Sequence, residues 1–501
     1  MGSLGHVVLA LAALAAAEAG FERAYAPPWV MLLFAPLAYL LAHLSERAYL
    51  TGRFRLGDWL HRALIASPVL LFALAILACG WRAAVTRWTG SEVSLLAWPD
   101  LRVLVLLAPW FLFELVALHA RSRFFVARPE RDGWLGFHVR MLVAGLVPVL
   151  LYVVAAALVG ASEEARVAVE EIGIFHAAFA GGLLLVLALV MPFLLEHVWE
   201  TVPLPEGSQR ASVLALAREA GFGTPRLRVW RTGNQVANAA IVGLTAKSRT
   251  VLFSDQLLAQ LPPRELAAVF AHEMGHAVRS HVPLFIAWVL VAFLFGDLVA
   301  TAFFADEPVL AGLVVLAFLA TWFAGFTWLS RRCELQADLH ALDLLGETHT
   351  LIAALERVGG RLRDVAGWRH FSIADRVRFL EHAQADPSVA QALHQKIRAA
   401  SVLGTVLLVV ALGLHGVRLM QDLPTDRVRA DLRLGDYQSA AQRAERIEDL
   451  DPVLAHAARL AGSLGSDGVE RERVELEARA AAARGDDETA ATWQALLDLR
   501  P

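Results

Sequence analysis

The chain is 501 residues long, 57% hydrophobic and 19% charged, with a mean hydropathy of +0.51. Water-soluble globular enzymes keep their apolar fraction below about half, so this composition excludes that class and makes a lipid bilayer the first partner. A formal net charge of −4 says little about partners when most of the chain lies in lipid, and without a basic stripe no nucleic acid is expected as a second one. Lysine is confined to Lys247 and Lys396 while alanine and arginine abound. That is the usage of a GC-rich bacterial genome, which points to a bacterial inner membrane. Cys79 lies in an apolar run and Cys333 in a polar one. The pair is unsuited to a disulfide, and a reduced cytoplasmic setting serves the chain.

Runs of about 17 to 25 mostly apolar residues are long enough to cross a hydrocarbon core as helices. They lie near 28–45, 63–81, 101–120, 139–160, 173–196, 282–304, 308–330 and 399–418. A weaker run at 6–18 ends in Glu18 and lacks a basic flank, so it is either a first span or a signal sequence. Residues 1–197 are accordingly expected to form a transmembrane region of about six spans. Arginines crowd the connections 45–62 (Arg47, Arg53, Arg55, Arg62) and 121–140 (Arg121, Arg123, Arg128, Arg131, Arg140). The connections 161–172 and 304–308 are acidic instead, carrying Glu163, Glu164, Glu170 and Glu171, and Asp306 and Glu307. By the positive-inside rule the basic connections are cytoplasmic and the acidic ones external. The connection 82–102, with Arg82, Arg87 and Arg102, fits this alternation least well.

Two polar stretches, 198–264 and 331–397, flank a helical hairpin at 282–330 and share the cytoplasmic side. They are expected to fold together as one domain, 198–397, interrupted by that hairpin. The first contains strand-like runs, "LRVWR" (227–231), "ANAAIV" (237–242) and "RTVLF" (249–253), then "LPPREL", where proline near the first helical position starts a helix. A last span at 398–419 precedes a polar helical segment, 420–501. There "GDYQSAAQRAERIEDLDP" and "GDDETAATWQALLDLRP" each resemble the second helix of a tetratricopeptide repeat, though their spacing of about 50 does not fit a tandem array. We read a small helical-hairpin domain, external if the spans are odd in number, that offers a surface to a protein partner. The fold class is mainly α: a polytopic helical membrane protein with a cytoplasmic catalytic domain and a C-terminal helical-hairpin domain.

The chemistry centres on "AVFAHEMGHAVRSH" (268–281). Residues four apart lie one turn apart on one helix face, so His272 and His276 can ligate one metal ion. Glu273 sits beside them, able to reach a water on that metal without being a ligand; the metal lowers the water's pKa and the carboxylate takes its proton. A catalytic zinc needs a third protein ligand and one open position. A metzincin continuation would place Gly at 279 and His at 282, where the chain has Arg279 and Val282. His281, nine residues past His272, lies about half a turn from the ligand face of a continuous helix and is read as a non-ligand. "RRCELQADLHALDLL" (331–345) offers Glu334 as the third ligand, with Asp338 one turn on to support a ligand histidine.

"VANAAIVGL", "SRTVLFSDQLL", "LPPRELAAVFAHEMGH", a membrane hairpin, "CELQAD" and "RHFSIADRVRFLEH" follow in the order of the M48 family of integral-membrane zinc metalloproteases, which the chain resembles over about 200–385. That family includes HtpX-type heat-shock proteases and Ste24-type CaaX proteases. The resemblance implies a gluzincin site with one Zn²⁺ per chain: His272, His276 and Glu334 as ligands, Glu273 as general base and Asp338 behind a ligand. It further implies that Asn238 and Ala239 lie on an edge strand whose backbone pairs with an extended substrate. His370, Ser372 and Arg376 match a His-Pro-Ser motif followed by Arg, with Phe371 in place of the proline, and His370 is placed to donate to a developing oxyanion. The number of spans before the motif resembles the Ste24 branch, whose helices enclose an aqueous chamber; the segment past 420 has no counterpart there. The expected function is zinc-dependent endopeptidase action on membrane-associated or unfolded polypeptide segments, as in quality control. Alternatives are a dedicated CaaX-type or other peptide-processing protease, a proteolytically silent scaffold, and a transporter. The intact ligand set argues against the scaffold, and the lack of internal repeats against the transporter.

Overall fold

A computed structural model of the chain describes residues 3–17, 22–90, 98, 101–243, 249–303, 308–360, 363–367, 370–464, 478, 479, 481, 482, 493 and 494. It divides into two compact units, one of Met1–Phe125, Gly145–Leu187 and Gly416–Pro501, the other of Val126–Ala144 and Ala188–His415. Seven helical segments among the described residues are long and apolar enough to cross a membrane: Pro28–Leu50, Phe54–Leu77, Val103–Phe125, Arg131–Val159, Gly173–Met191, His281–Val299 and Pro387–Leu434. The chain is an integral membrane protein. The eighth run expected, 308–330, lies within a longer helix, Pro308–Leu345, that does not stop at the membrane boundary read from the sequence.

The first unit holds α1 (Ser3–Ala16), α2 (Leu37–Leu50), α3 (Phe54–Leu77), α4 (Trp81–Thr89) and α5 (Val103–Phe125). Small side chains let α2, α3 and α5 approach closely: Ala38 and Ala42 meet Leu64, Ala117 and Ala120 in one cluster, the packing favoured where lipid leaves no hydrophobic drive between helices. α1 covers most of the weak apolar run, and its buried His6 pairs with Glu114 of α5. Beyond α6 (Arg131–Val159), the acidic connection forms α7 (Glu163–Glu171), capped where the Ser162 Oγ accepts from the Ala165 N–H at 3.2 Å. α8 (Gly173–Val198) follows.

The second unit contains a four-stranded sheet of order β1-β2-β4-β3, built from β1 (Thr201–Pro203), β2 (Arg226–Trp230), β3 (Ala239–Val242) and β4 (Thr250–Ser254). β2 and β4 are parallel and the other pairs antiparallel. The sequence pattern foreshadows β2, β3 and β4 but not β1, which is too short to show a period. The sheet packs with α9 (Ser208–Glu219), α10 (Asp255–Gln260) and α11 (Pro263–Val278) around Val251, Phe253, Leu266, Phe270 and Met274. α11 begins as the sequence suggests, with Pro263 at its first position and Glu265 in its first turn, where a negative charge suits the helix dipole. α12 (His281–Phe303), α13 (Pro308–Leu345), α14 (His349–Gly359) and α15 (Ile373–Ala385) complete the unit.

α16 (Pro387–Leu434) has 48 residues, about 72 Å at 1.5 Å per residue. Its C-terminal part belongs to the first unit. There Arg433 forms ion pairs with Glu170 at 2.5 Å and Glu171 at 2.6 Å, and the Gly173 N–H donates to Asp426 at 3.0 Å. α17 (Tyr437–Ala444) and α18 (Pro452–Leu464) pack on that end through Val428, Leu432, Tyr437, Leu454 and Ala457, with Trp493 buried among them.

α11 and α13 meet at Gly275, where an added Cβ would stand 2.9 Å from the Ala337 Cα and 3.2 Å from its carbonyl oxygen. Glycine inside an exposed helix costs about 1 kcal/mol relative to alanine, so the change to alanine would ordinarily stabilise. Gly275→Ala is expected to do the reverse: the thermal midpoint of the purified protein falls, because backbone cannot yield to the methyl group, and the two helices part.

Candidate active site

α11 presents His272 and His276 on one face with their Nε2 atoms 3.3 Å apart. α13 supplies Glu334, whose Oε2 lies 3.5 Å from the His272 Nε2 and whose Oε1 lies 3.6 Å from the His276 Nε2. One donor atom from each of these residues falls within 4.8 Å of the others, the one such group of three among the described residues. Two imidazole nitrogens and a carboxylate oxygen, with the remaining side open to a cavity, are the donor set and open position of a catalytic zinc. The chain carries a His/Glu group able to hold a metal ion.

Asp338 and Arg376 stand behind it. The Asp338 Oδ1 is 2.8 Å from the His272 Nδ1, and the Arg376 guanidinium grips the same carboxylate with Nε at 2.8 Å and Nη2 at 2.6 Å. Asp338 is fully buried, and burial opposes its charge, but Arg376 and His272 outweigh that and hold its carboxyl below the ordinary range. Burial likewise opposes charge on His272, and Asp338 overcomes it, lifting the imidazole pKa to about 10. An outer carboxylate of this kind fixes the ring and makes its Nε2 a stronger donor. For His276, burial dominates, followed by the His272 charge, and pushes the pKa down to about 3. The His276 ring is therefore neutral. Burial also opposes ionisation of Glu334, yet hydrogen bonds with His272 and His370 keep it far below the usual carboxylate range.

Glu273, Asn238, Ala239, His370 and the metal-type donors all line one cavity of about 410 Å³. Burial raises the Glu273 carboxyl to about 7, with the His272 charge and a hydrogen bond from the Ile241 N–H opposing. β3 is the sheet edge on this cavity. The Asn238 carbonyl accepts from the Ser254 N–H at 2.9 Å, and the Asn238 N–H donates to the Ser254 Oγ at 2.9 Å. In an antiparallel ladder alternate residues face the partner, so Ala240 and Val242 turn to β4 while Ala239 and Ile241 present main chain to the cavity. His370 is half exposed, its Nδ1 3.2 Å from the Glu334 Oε2. Phe371, in place of the proline, lies under the Arg331 guanidinium at 5.5 Å, and the Ser372 Oγ caps α15 by accepting from the Asp375 N–H at 3.1 Å. That cap starts the helix that delivers Arg376 one turn later. On the opposite wall Leu351, Ala354, Leu355 and Val358 of α14 make an apolar surface that no sequence motif announced.

His281 is the residue whose position the sequence misjudges. A continuous helix would carry it round from the ligand face, but α11 ends at Val278, Ser280 takes a left-handed φ of 57°, and α12 starts at His281. The reversal brings the His281 Nδ1 to 2.8 Å from the His276 Nδ1, and the His281 Nε2 to 2.9 Å from the Gln336 Oε1. It remains off the metal-type group. The overlooked signal is Pro283, which suits the first turn of a new helix and not the interior of an old one.

Residues 203–401 match the model of peptidase family M48. This segment of the chain is an M48 peptidase domain. The M48 domain has relatives in two named groups. A CAAX prenyl protease 1 homolog of Arabidopsis thaliana is 32% identical over 202 residues, covering 35% of this chain and 47% of that protein. Protease HtpX of Pseudomonas paraeruginosa is 32% identical over 167 residues, covering 29% of this chain and 55% of that protein. The chain thus spans about half the length of the curated relatives it matches. Among solved structures, Ste24p of S. mikatae aligns over 71% of this chain and 99% of its own, with 15% identity and a TM-score of 0.46.

The M48 domain's donors and their supports are expected to rank clearly. Glu334→Ala removes one of the three donor side chains and should abolish stoichiometric metal at purification. Asp338→Asn leaves all three donors in place and should weaken metal binding by about 10- to 100-fold, read by chelator competition. The reverse order would exchange the two roles.

Proposed function

We propose that the chain is a zinc-dependent endopeptidase that hydrolyses peptide bonds in extended segments of unfolded or membrane-associated polypeptides. The observation that carries this reading is the meeting, in one cavity, of the His272, His276 and Glu334 donors with Glu273 and the open edge of β3. One zinc ion per chain, held by those three residues, would supply Lewis-acid polarisation of the scissile carbonyl. The remaining work belongs to the protein. Ala239 and the Ile241 carbonyl offer main-chain groups at the edge of β3 along which a substrate strand lies, so recognition is of backbone and tolerates many side chains. Glu273 takes a proton from the attacking water as its oxygen bonds to the carbonyl carbon, then passes a proton to the departing amine as the C–N bond breaks. With a pKa near 7 it is suited to both transfers. His370, at the cavity mouth, donates to the oxygen that gains charge.

A second reading, a dedicated processing protease, draws its support from the similarity to the CAAX prenyl protease 1 homolog. An unfolded model protein and a prenylated peptide, offered to the same detergent-purified enzyme, separate the two by which is cut. We place the M48 domain on the cytoplasmic side of a bacterial inner membrane and residues 420–501 in the periplasm. The basic connections at 45–62 and 121–140 support the first assignment. The second is supported by the ion pairs of Arg433 with Glu170 and Glu171, which tie the end of α16 to the acidic connection. A protein partner for the hairpin of α17 and α18 completes the proposal. Reporter fusions at residue 207 and at the C-terminus are expected to report opposite sides.

Glu273→Gln should retain zinc and lose cleavage, since the side chain handles protons and binds no metal; loss of zinc with activity would make it structural. His370→Ala should lower kcat by about 10²- to 10³-fold with KM little changed, because an oxyanion donor acts mainly in the transition state. An effect confined to KM would make His370 a substrate contact.

A further inference from the structure

The two ligand histidines are supported by different chemistry. His272 leans on a carboxylate, Asp338, whose acceptor character leaves no choice: the His272 Nδ1 must carry the hydrogen. His276 leans on another imidazole, which can donate or accept. Its Nδ1 lies 2.8 Å from the Nδ1 of His281, and nothing in that pair alone decides which nitrogen holds the proton. The decision comes from further along. The His281 Nε2 is 2.9 Å from the Gln336 Oε1, and the Gln336 Nε2 is 2.7 Å from the Nδ1 of His394. An amide oxygen only accepts, so the His281 Nε2 bears a hydrogen. A neutral imidazole has one, so the His281 Nδ1 is bare and accepts from the His276 Nδ1–H. The His276 Nε2 is then bare too, and it is the atom that faces Glu334.

From this chain, whose direction the Gln336 amide sets, we propose that His281 and Gln336 are positioning residues that set the tautomer of His276, keeping its Nε2 free to bind the metal. Turning the Gln336 amide over would reverse every bond and put the proton on the His276 Nε2, where it blocks coordination. His281 is wholly buried, and Gln336 nearly so, so water does not compete for these bonds. The left-handed Ser280 that brings His281 into line is unusual for a residue with a side chain, and the close approach of His281 to His276 depends on it. The inference rests on the zinc reading above and extends it to residues outside the donor set.

The test uses the full-length protein in detergent, with zinc affinity read by chelator competition and the thermal midpoint of the zinc-free form measured beside it. His281→Leu and Gln336→Leu are expected to weaken zinc by about 10- to 100-fold, as loss of an outer partner does. His281→Asn, whose Oδ1 replaces the accepting Nδ1, and Gln336→Glu, which can only accept, are expected to stay close to wild type. The acceptor variants and the leucine variants fill similar space, so their contrast reads hydrogen-bond polarity. Wild-type affinity in His281→Leu overturns the proposal, as does equal loss in the leucine and acceptor variants, which would make the contacts mere packing. A wild-type protein that binds no zinc overturns this inference and the zinc reading together, whereas tight wild-type binding with indifferent variants overturns this one alone.

Discussion

The site depends on the contact between α11 and α13 at Gly275, where the helices approach until one residue's Cα faces another's backbone. Every donor atom of the metal-type group hangs from these two helices: His272 and His276 from one, Glu334 from the other. A catalytic centre tolerates little error in such distances, and side chains on packed helices hold position better than side chains on loops. The same contact sets Asp338 beside His272, because Glu334 and Asp338 are one turn apart on α13 and follow its rotation together. Residues around Leu266, Phe270, Met274, Ala341 and Leu351 then exclude water from the joint.

Packing alone does not explain why charged groups accept burial there. An isolated buried carboxylate is costly, and the site contains two. Arg376 balances Asp338 with two hydrogen bonds, which leaves Glu334 as the negative charge that faces the imidazole nitrogens. Its hydrogen bonds with His272 and His370 keep it ionised. A divalent cation between these groups would satisfy all three donors at once. The arrangement is thus coherent as half of a charge pair whose other half is a metal.

The membrane segments connect to this centre without a flexible joint. α13 is continuous over 38 residues, so the helix that carries Glu334 and Asp338 is the helix that begins as an apolar run. α12 starts at His281, directly after the ligand helix. The ligand helix and the glutamate helix therefore each run into an apolar helix, and α12 and α13 pack on each other through Trp288, whose carbonyl accepts from the Trp322 Nε1 at 2.8 Å.

The sequence alone determined the membrane class, most of the apolar spans, the three strands that precede the ligand helix, and the pairing of His272, Glu273 and His276. These are legible because they repeat at the period of the helix or strand that holds them, or because hydrocarbon tolerates few other compositions. It also nominated Glu334 and Asp338, since one helical turn separates them. Tertiary structure decided the rest. Only the crossing of α11 and α13 brings Glu334 to two histidines more than fifty residues away in the chain, and only the cap at Ser372 delivers Arg376 to Asp338. The apolar wall of α14, and the turning of Ala239 and Ile241 toward the cavity, belong to no local pattern either. His281 shows the reason most directly. Helical periodicity assigned it to the wrong face, and a single residue with φ of 57° returned it to the ligand it supports. Periodicity describes an element only as far as the element runs; where the chain turns, the neighbours of a side chain are set by packing across distances that no local spacing records.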